Sequence, residues 1–186
     1  KLEMGSSVKV YVSKLEIGPK GPFIMLSRSH YGFVKRLLEI EIPELSDGTI
    51  MLYSVARDAG SRSKIAVYTE YTNVDPIGAV IGEKGRRIAN VLKELSGEKI
   101  DVILYDKDPV KFIANALSPA KDVKVSIKDE TKKEALALVN DKNLSLAIGK
   151  KGQNVKLASR LTHYKIEVKP EEQENTETTE ETSVEE

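Results

Sequence analysis

The sequence contains no cysteine and no tryptophan, only two histidines, and no long apolar run. The lack of cysteine excludes disulfides and metal sites that are held by thiolates. His30 and His163 lie too far apart in the sequence to suggest a metal-binding pair. No apolar stretch approaches the roughly 20 residues that a membrane-spanning helix needs, and no signal peptide is visible. These absences predict a cytoplasmic protein with no membrane partner, no metal and no cofactor.

Several enzyme motifs are missing as well. Neither Gly-x-x-x-x-Gly-Lys-Ser/Thr nor Gly-x-Gly-x-x-Gly occurs, so nucleotide hydrolysis and dinucleotide binding are poorly supported. No Ser/His/Asp order, metal-ligand spacing or isolated pair of carboxylates stands out either. The sequence therefore favours a binding protein over an enzyme, and it predicts no catalytic residue.

The formal net charge of zero hides two regions of opposite sign. Residues 171–186 hold eight glutamates and no lysine or arginine. Because the whole chain has 29 acidic and 29 basic residues, residues 1–170 retain 21 acidic residues and a net charge of +8. A basic body favours a nucleic-acid partner. The acidic tail, which has almost no apolar residues, is predicted to be disordered.

One nine-residue stretch occurs twice. Residues 80–88 and 147–155 both have the pattern apolar, Ile, Gly, two polar, Gly, two polar, apolar, and they are offset by 67 positions. A glycine pair at this spacing predicts a tight turn between two helices. The second helix presents unpaired N–H groups at its start, and lysines and arginines cluster beside both turns. The simpler interpretation is a plain turn, but the duplication and the basic residues favour a phosphate-binding site.

The apolar periodicity predicts an α+β fold in which one unit, α-β-β-α-α-β, is repeated. Asp75-Pro76 and Asp108-Pro109 are expected to cap helices that begin at the prolines. Residues 8–12 and 23–27 are predicted to be two further strands, which are too few for an independent domain. Four regions are predicted. Residues 1–28 are an N-terminal cloning remnant with this hairpin, residues 29–106 are the first unit, residues 107–169 are the second unit, and residues 170–186 are a disordered acidic tail.

The repeated unit with its Ile-Gly-x-x-Gly turn resembles the type II KH domain of bacteria. Residues 56–67, 75–79, 97–102 and 146–158 are similar to the two KH domains of the NusA family of transcription elongation, termination and antitermination factors. In that family an OB barrel of the ribosomal S-one type precedes the KH pair, and the orphan hairpin resembles its last two strands. The resemblance implies that residues 1–28 are mobile or pack against the first KH unit.

The resemblance implies binding of single-stranded RNA without chemistry, because each KH loop clamps the backbone of about four nucleotides. The short linker, residues 106–109, favours a fixed pair with one track of about eight nucleotides. The implied partners are RNA and the RNA polymerase elongation complex, and the implied state is a monomer. The RNA-binding residues that the resemblance implies are Ile81, Gly82, Lys84, Gly85, Arg86, Arg87, Ile148, Gly149, Lys150, Lys151, Gly152, Gln153 and Asn154. Three further residues are implied as flanking contacts: Arg57, Arg62 and Lys64.

Two alternatives remain open at this stage. The chain could be an RNA-binding fragment of an RNA-processing enzyme such as polynucleotide phosphorylase, although there a single KH domain precedes the barrel. It could also be an adaptor that holds proteins together in an assembly. In either case the acidic tail could compete with RNA for the basic face, or it could simply improve solubility.

Overall fold

The structure is a computed structural model that describes residues 4–171 of the chain. The predicted tail disorder therefore falls almost entirely outside the described residues, and so does the start of the predicted cloning remnant. A two-stranded antiparallel hairpin comes first, and two α+β units follow it. The hairpin consists of β1 (Tyr11–Gly18) and β2 (Gly21–Ser27).

The first unit has one helix that the sequence did not predict. This helix, α2, begins at a proline directly after α1 ends, and proline is favoured at the first position of a helix. The elements of the first unit are α1 (Tyr31–Glu41), α2 (Pro43–Ser46), β3 (Met51–Asp58), β4 (Arg62–Tyr68), α3 (Pro76–Ile81), a single 3-10 turn (Glu83–Gly85), α4 (Arg86–Glu94) and β5 (Lys99–Leu104).

The second unit repeats this order without the extra helix. Its elements are α5 (Pro109–Ala116), β6 (Lys124–Asp129), β7 (Glu134–Val139), α6 (Asp141–Ile148), a single 3-10 turn (Lys150–Gly152), α7 (Gln153–Thr162) and β8 (Lys165–Pro170). The predicted α-β-β-α-α-β order is therefore confirmed in both units.

Each unit has one three-stranded mixed sheet. In the first unit the strand order is β3-β4-β5, with β3 antiparallel and β5 parallel to the central β4. The second unit has the same arrangement in the order β6-β7-β8. A parallel pair requires a long crossover connection. Here the crossover consists of the two helices that flank the glycine-rich turn, so the sheet holds both ends of that segment in place.

Local sequence explains where the crossover and the second unit begin. Asp75 accepts a hydrogen bond from the Ile77 N–H, and Pro76 occupies the first turn of α3. Asp108 caps α5 in the same way by accepting from the Val110 N–H. Both helix starts confirm the capping predictions, because an aspartate cap followed by proline satisfies the first free N–H groups of a helix.

The two units share a hydrophobic core. Buried residues of the first sheet, Ala56, Ala66 and Ile103, belong to the same cluster as residues of α5 and α7. A hydrogen bond of 2.9 Å from Ser54 Oγ to the Leu161 carbonyl also crosses the junction. The packing supports the expectation, based on the short linker, that the units form a fixed pair.

Aromatic side chains reinforce the junction beside the linker. The ring of Tyr105 stacks on Tyr53, with 3.8 Å between the ring centroids. Phe112 of α5 packs edge-on against both rings. Such aromatic pairs add stability beyond the apolar area that they bury, so the linker is anchored where it passes from the first unit to the second.

In the N-terminal hairpin, the structure differs from the predicted bounds of the first strand. Its first strand spans Tyr11–Gly18 rather than the predicted residues 8–12, because the two-residue turn Pro19-Lys20 pairs Gly18 with Gly21 and sets the register. The second strand, Gly21–Ser27, contains the predicted residues 23–27 and begins two residues earlier. Arg28 holds the base of the hairpin by donating to the carbonyls of Lys9 and Glu94.

Both faces of the hairpin carry exposed apolar side chains. Phe23 is 57% exposed, and Ile24, the next residue of β2, is 55% exposed. Alternate residues of a strand point to opposite faces. Both faces of the hairpin are therefore largely uncovered by the rest of the described residues.

Candidate nucleic-acid interface

The two Gly-x-x-Gly turns have nearly the same backbone. We call residues 82–85 the first loop and residues 149–152 the second loop. Gly82 has φ 74° and ψ 171°, and its counterpart Gly149 has φ 75° and ψ 169°. Lys84 and Lys151 both adopt a left-handed conformation, with φ values of 51° and 54°. The sequence repeat is therefore also a repeat of backbone geometry.

The first glycine of each loop cannot be replaced without distortion. Its combination of positive φ and extended ψ is a region of backbone conformation that is essentially confined to glycine. A Cβ on Gly149 would also lie 2.8 Å from the backbone nitrogen of Asn154. On Gly82 it would lie 2.7 Å from Cγ of Arg87. These contacts explain why each loop needs glycine at this position.

The residue five positions after the first glycine of each loop supports the loop through hydrogen bonds of its side chain. Asn154 is 4% exposed and donates to the carbonyls of Leu117, Leu146 and Ala147 at 3.0–3.1 Å. Since Leu146 and Ala147 lie at the end of α6, the side chain ties both sides of the turn together.

Arg87 occupies the same position in the first loop. Its guanidinium donates to the carbonyl of Ala79 and to the Glu44 carboxylate, each at 2.9 Å. The unpredicted helix α2 supplies this carboxylate and so supports the loop. Arg87 and Asn154 were both predicted to contact RNA. The structure buries the Asn154 side chain and gives Arg87 mainly a supporting position.

Four cationic side chains stay exposed at the loops: Lys84, Arg86, Lys150 and Lys151. They surround the first residues of α4 and α7, where helix N–H groups carry partial positive charge. Glu83 is also exposed, and it lowers the net positive charge of the first loop. The loops therefore present a surface suited to phosphates, and the second loop is the more cationic.

An apolar groove lies between α3 and β5 of the first unit and the start of the second unit. It has a volume of about 680 Å³ and is lined by Ile77 of α3 and by Val102, Ile103 and Leu104 of β5. The second unit closes its other side with residues at the end of α5 and in the following loop. Ile81 is 36% exposed at the end of α3, and Ile148 is half-buried at the end of α6.

Arg57 does not lie on the exposed surface where a flanking RNA contact was predicted. Its side chain is 5% exposed and pairs with Glu98 at 2.9 Å. Glu98 also accepts hydrogen bonds from the Gly60 N–H and the Ser63 hydroxyl. Burial raises the pKa of Glu98, but these donors outweigh burial, and the net effect is a lowered pKa. The structure therefore gives Arg57 a role in holding the β3–β4 turn.

Lys64 and Arg62 form a second ion-pair cluster. The Lys64 side chain is fully buried and donates to Asp101 at 3.0 Å and to the Ser118 carbonyl of the second unit at 2.7 Å. Burial lowers the pKa of Lys64, and the Asp101 carboxylate opposes that change. Arg62, 27% exposed, pairs with the same aspartate at 2.7 Å. Lys64 thus joins the two units and is inaccessible to RNA in this conformation.

Gln153 connects the second loop to the first unit. Its Nε2 donates to the Asp58 carboxylate at 2.6 Å and to the Ser61 hydroxyl at 2.7 Å. The side chain predicted to contact RNA therefore also bridges the domains. The proximity of the β3–β4 turn to a residue 95 positions further along depends on tertiary packing, which the sequence alone does not show.

Within residues 4–171 no group of three acidic, histidine or cysteine side chains is arranged to hold a metal ion. In that same part of the chain, no helix combines the length and apolarity required to cross a bilayer.

The fold and the loops together define a class of protein. A three-stranded mixed sheet, three helices and a Gly-x-x-Gly turn between the last two helices make a type II KH domain, and this chain contains two in tandem. Residues 28–105 match the family model of the NusA-like first KH domain, and residues 109–176 match that of the NusA-like second KH domain. The chain belongs to the NusA family.

Curated relatives agree with that assignment. The chain is 53% identical over 164 residues to the transcription termination/antitermination protein NusA of Halalkalibacterium halodurans. This match covers 88% of this chain and 43% of the relative. The protein of the same name in Bacillus subtilis is 52% identical, and the match covers 88% of this chain and 44% of the relative. The one in Thermus thermophilus is 47% identical, and the match covers 89% of this chain and 43% of the relative. The chain spans less than half the length of these relatives.

A comparison with solved structures gives the fold alone. The crystal structure of APE1850 superposes with a TM-score of 0.53 and 23% sequence identity, covering 73% of this chain and 96% of that one.

Proposed function

We propose that this chain binds single-stranded RNA along a track that passes over both Gly-x-x-Gly loops. The observation that supports this most directly is the pair of loops with matching backbones, each with exposed cations, on units that share one core. KH loops clamp the backbone of about four nucleotides each. The clamped phosphates would lie beside Lys84, Arg86, Lys150 and Lys151, with bases toward the apolar groove.

We further propose that the binding serves transcription elongation, pausing, termination and antitermination, within a longer protein that contacts RNA polymerase. The name shared by the relatives supports this, since each is a transcription termination/antitermination protein. A cytoplasmic location, a monomeric state and the absence of catalysis are part of the same proposal. The match to both NusA-like KH models favours it over a polynucleotide phosphorylase fragment.

Fluorescence-anisotropy titrations test the proposal directly. We expect single-stranded RNA to bind more tightly than duplex RNA of the same sequence. If the four exposed cations neutralise about four phosphates, log affinity should fall with log salt at a slope of about −3, since each phosphate contributes about −0.7 on single strands. An affinity that does not change with salt would contradict the phosphate clamp.

The same preparations can test the enzyme alternative. Labelled RNA incubated with the protein, with and without inorganic phosphate, should stay intact. Appearance of cleavage or phosphorolysis products, at a rate that follows the protein concentration, would instead support a processing enzyme.

A further inference from the structure

A groove of about 500 Å³ lies where the second loop meets the turn between β3 and β4 of the first domain. We call it the junction groove. The second domain contributes four cations to its lining, and the first domain contributes a carboxylate and a hydroxyl. These residues are Lys150, Lys151, Lys156, Arg160, Asp58 and Ser61. The groove is therefore a composite of both domains, and it continues directly from the second loop.

The carboxylate of Asp58 is unexpected in such a groove. Four nearby cations would attract the phosphates of a nucleic acid, but a carboxylate repels them. An ionised carboxylate accepts hydrogen bonds and cannot donate them. It therefore suits a ligand that brings a hydrogen-bond donor together with a phosphate. In RNA the ribose 2′-hydroxyl is such a donor, and DNA lacks it.

Asp58 and Ser61 are held in place before any ligand arrives. Gln153 binds both side chains, at 2.6 and 2.7 Å. The Ser61 N–H donates to the Asp58 carbonyl at 3.0 Å, and the Gly60 N–H donates to the buried Glu98 carboxylate. A carboxylate has room for about four hydrogen bonds, so Asp58 can accept another while it remains bound to Gln153.

We propose that the junction groove binds one ribose-phosphate unit of the RNA strand and distinguishes RNA from DNA. The lysines and Arg160 hold the phosphate, and the Asp58 carboxylate accepts a hydrogen bond from the ribose 2′-hydroxyl. The Ser61 hydroxyl lies beside this contact and can donate to the ribose oxygen. The inference rests on the proposed binding of single-stranded RNA and adds to it a residue that determines the choice of sugar.

The test compares the native protein with two variants, Asp58→Ala and Gln153→Ala. Each is titrated with a single-stranded RNA long enough to cover both loops, with the all-deoxy version, and with RNAs that carry one 2′-deoxy nucleotide at successive positions. Gln153→Ala is the matched control because it breaks the bridge between the domains but keeps the carboxylate. Thermal unfolding of all three proteins checks that the substitutions leave the fold intact.

For the native protein we expect one position at which a single 2′-deoxy substitution lowers the affinity by about tenfold or more, since tenfold is the lower end of the usual effect of losing a hydrogen bond to a charged group. Asp58→Ala should be insensitive to the substitution at that position, and its preference for RNA over DNA should fall by a similar factor. Gln153→Ala should weaken RNA and DNA binding equally and keep the positional effect.

Two results would overturn the inference while leaving the proposed function in place. In one, Asp58→Ala lowers the affinities for RNA and DNA by the same factor, which would make Asp58 only a bridging residue. In the other, the native protein binds RNA but no single 2′-deoxy substitution affects it. Failure of the native protein to bind any single-stranded RNA would instead refute the proposed function, and the inference with it.

Discussion

Replacing Gly152 with aspartate should lower the affinity for single-stranded RNA by about a hundredfold. The new carboxylate would lie in the cationic second loop, where a clamped phosphate is expected, and opposed like charges at an interface cost several kcal/mol. About 2.8 kcal/mol corresponds to a hundredfold change in affinity. Anisotropy titration of the native and variant proteins under identical salt conditions would measure this.

Gly152 is suited to this test because the substitution should not disturb the loop. Its φ of 71° and ψ of 17° lie in the left-handed helical region, which aspartate and asparagine adopt more readily than other residues. The nearest atom to a Cβ there is Cε of Lys156 at 3.7 Å, an ordinary contact. Gly152→Asn, which has the same shape without the charge, is therefore the matched control, and its affinity should fall only a few-fold.

Replacing Gly85 in the first loop with aspartate allows the two loops to be ranked by their contribution to RNA affinity. Gly85 has the same left-handed conformation, and a Cβ there meets no atom within 4 Å. Since Glu83 already reduces the positive charge of the first loop, Gly85→Asp should weaken binding no more than Gly152→Asp does. A larger loss at Gly85 would contradict the assignment of the second loop as the stronger phosphate site. Substitutions at Gly82 or Gly149 would distort the loop and test neither point.

Replacing Glu98 with alanine should lower the free energy of unfolding by about 3–5 kcal/mol, the usual cost of removing one partner from a buried ion pair. The Glu98 side chain is completely buried, and Arg57, its partner, is 5% exposed. The substitution would leave a buried guanidinium without its counter-ion. It would also leave the Gly60 N–H and the Ser63 hydroxyl without the acceptor that they share. Urea unfolding followed by circular dichroism would measure the change.

The matched control is Glu70→Ala, which removes an exposed glutamate from the same domain. Exposed substitutions of this kind usually change stability by less than about 0.5 kcal/mol. Equal losses for the two variants would show that the buried network contributes nothing particular. Because the folded-state pKa of Glu98 is lowered, its contribution is present above the unfolded-state pKa and is lost as the pH falls through the folded-state pKa. The difference between native protein and Glu98→Ala should therefore shrink in acid.

The features that could be predicted from sequence are those that short-range rules determine. The repeat of residues 80–88 at 147–155 indicated two equal turns, and the structure gives them equal backbones. Aspartate followed by proline indicated where α3 and α5 begin. In each case the residues that determine the structure lie within a few positions of one another, so their spacing in the sequence is also their arrangement in space.

The roles of the basic residues in and after β3 could not be predicted in the same way. The parallel register of β4 and β5 places Lys64 opposite Asp101, and that register is known only when the sheet is formed. The sequence shows a charged turn, and exposure to RNA was the simpler explanation. Opposite charges on two strands of one predicted sheet were the available indication that an ion pair was possible. The buried position of Asn154 could not be predicted for a similar reason, since its three carbonyl partners come from separate parts of the chain.

The shared core at the junction also affects how strands of different length compete. If two sites are joined by a flexible tether, the gain from binding both depends only weakly on the spacing of the ligand's two ends. Here the apolar residues of the first sheet pack directly on α5 and α7, so the distance between the loops is fixed. A strand held by one loop meets the other at a high effective concentration only if its next nucleotides fall at that distance. Avidity should therefore rise abruptly once a strand is long enough to reach from one loop to the other, because the rigid junction fixes that distance.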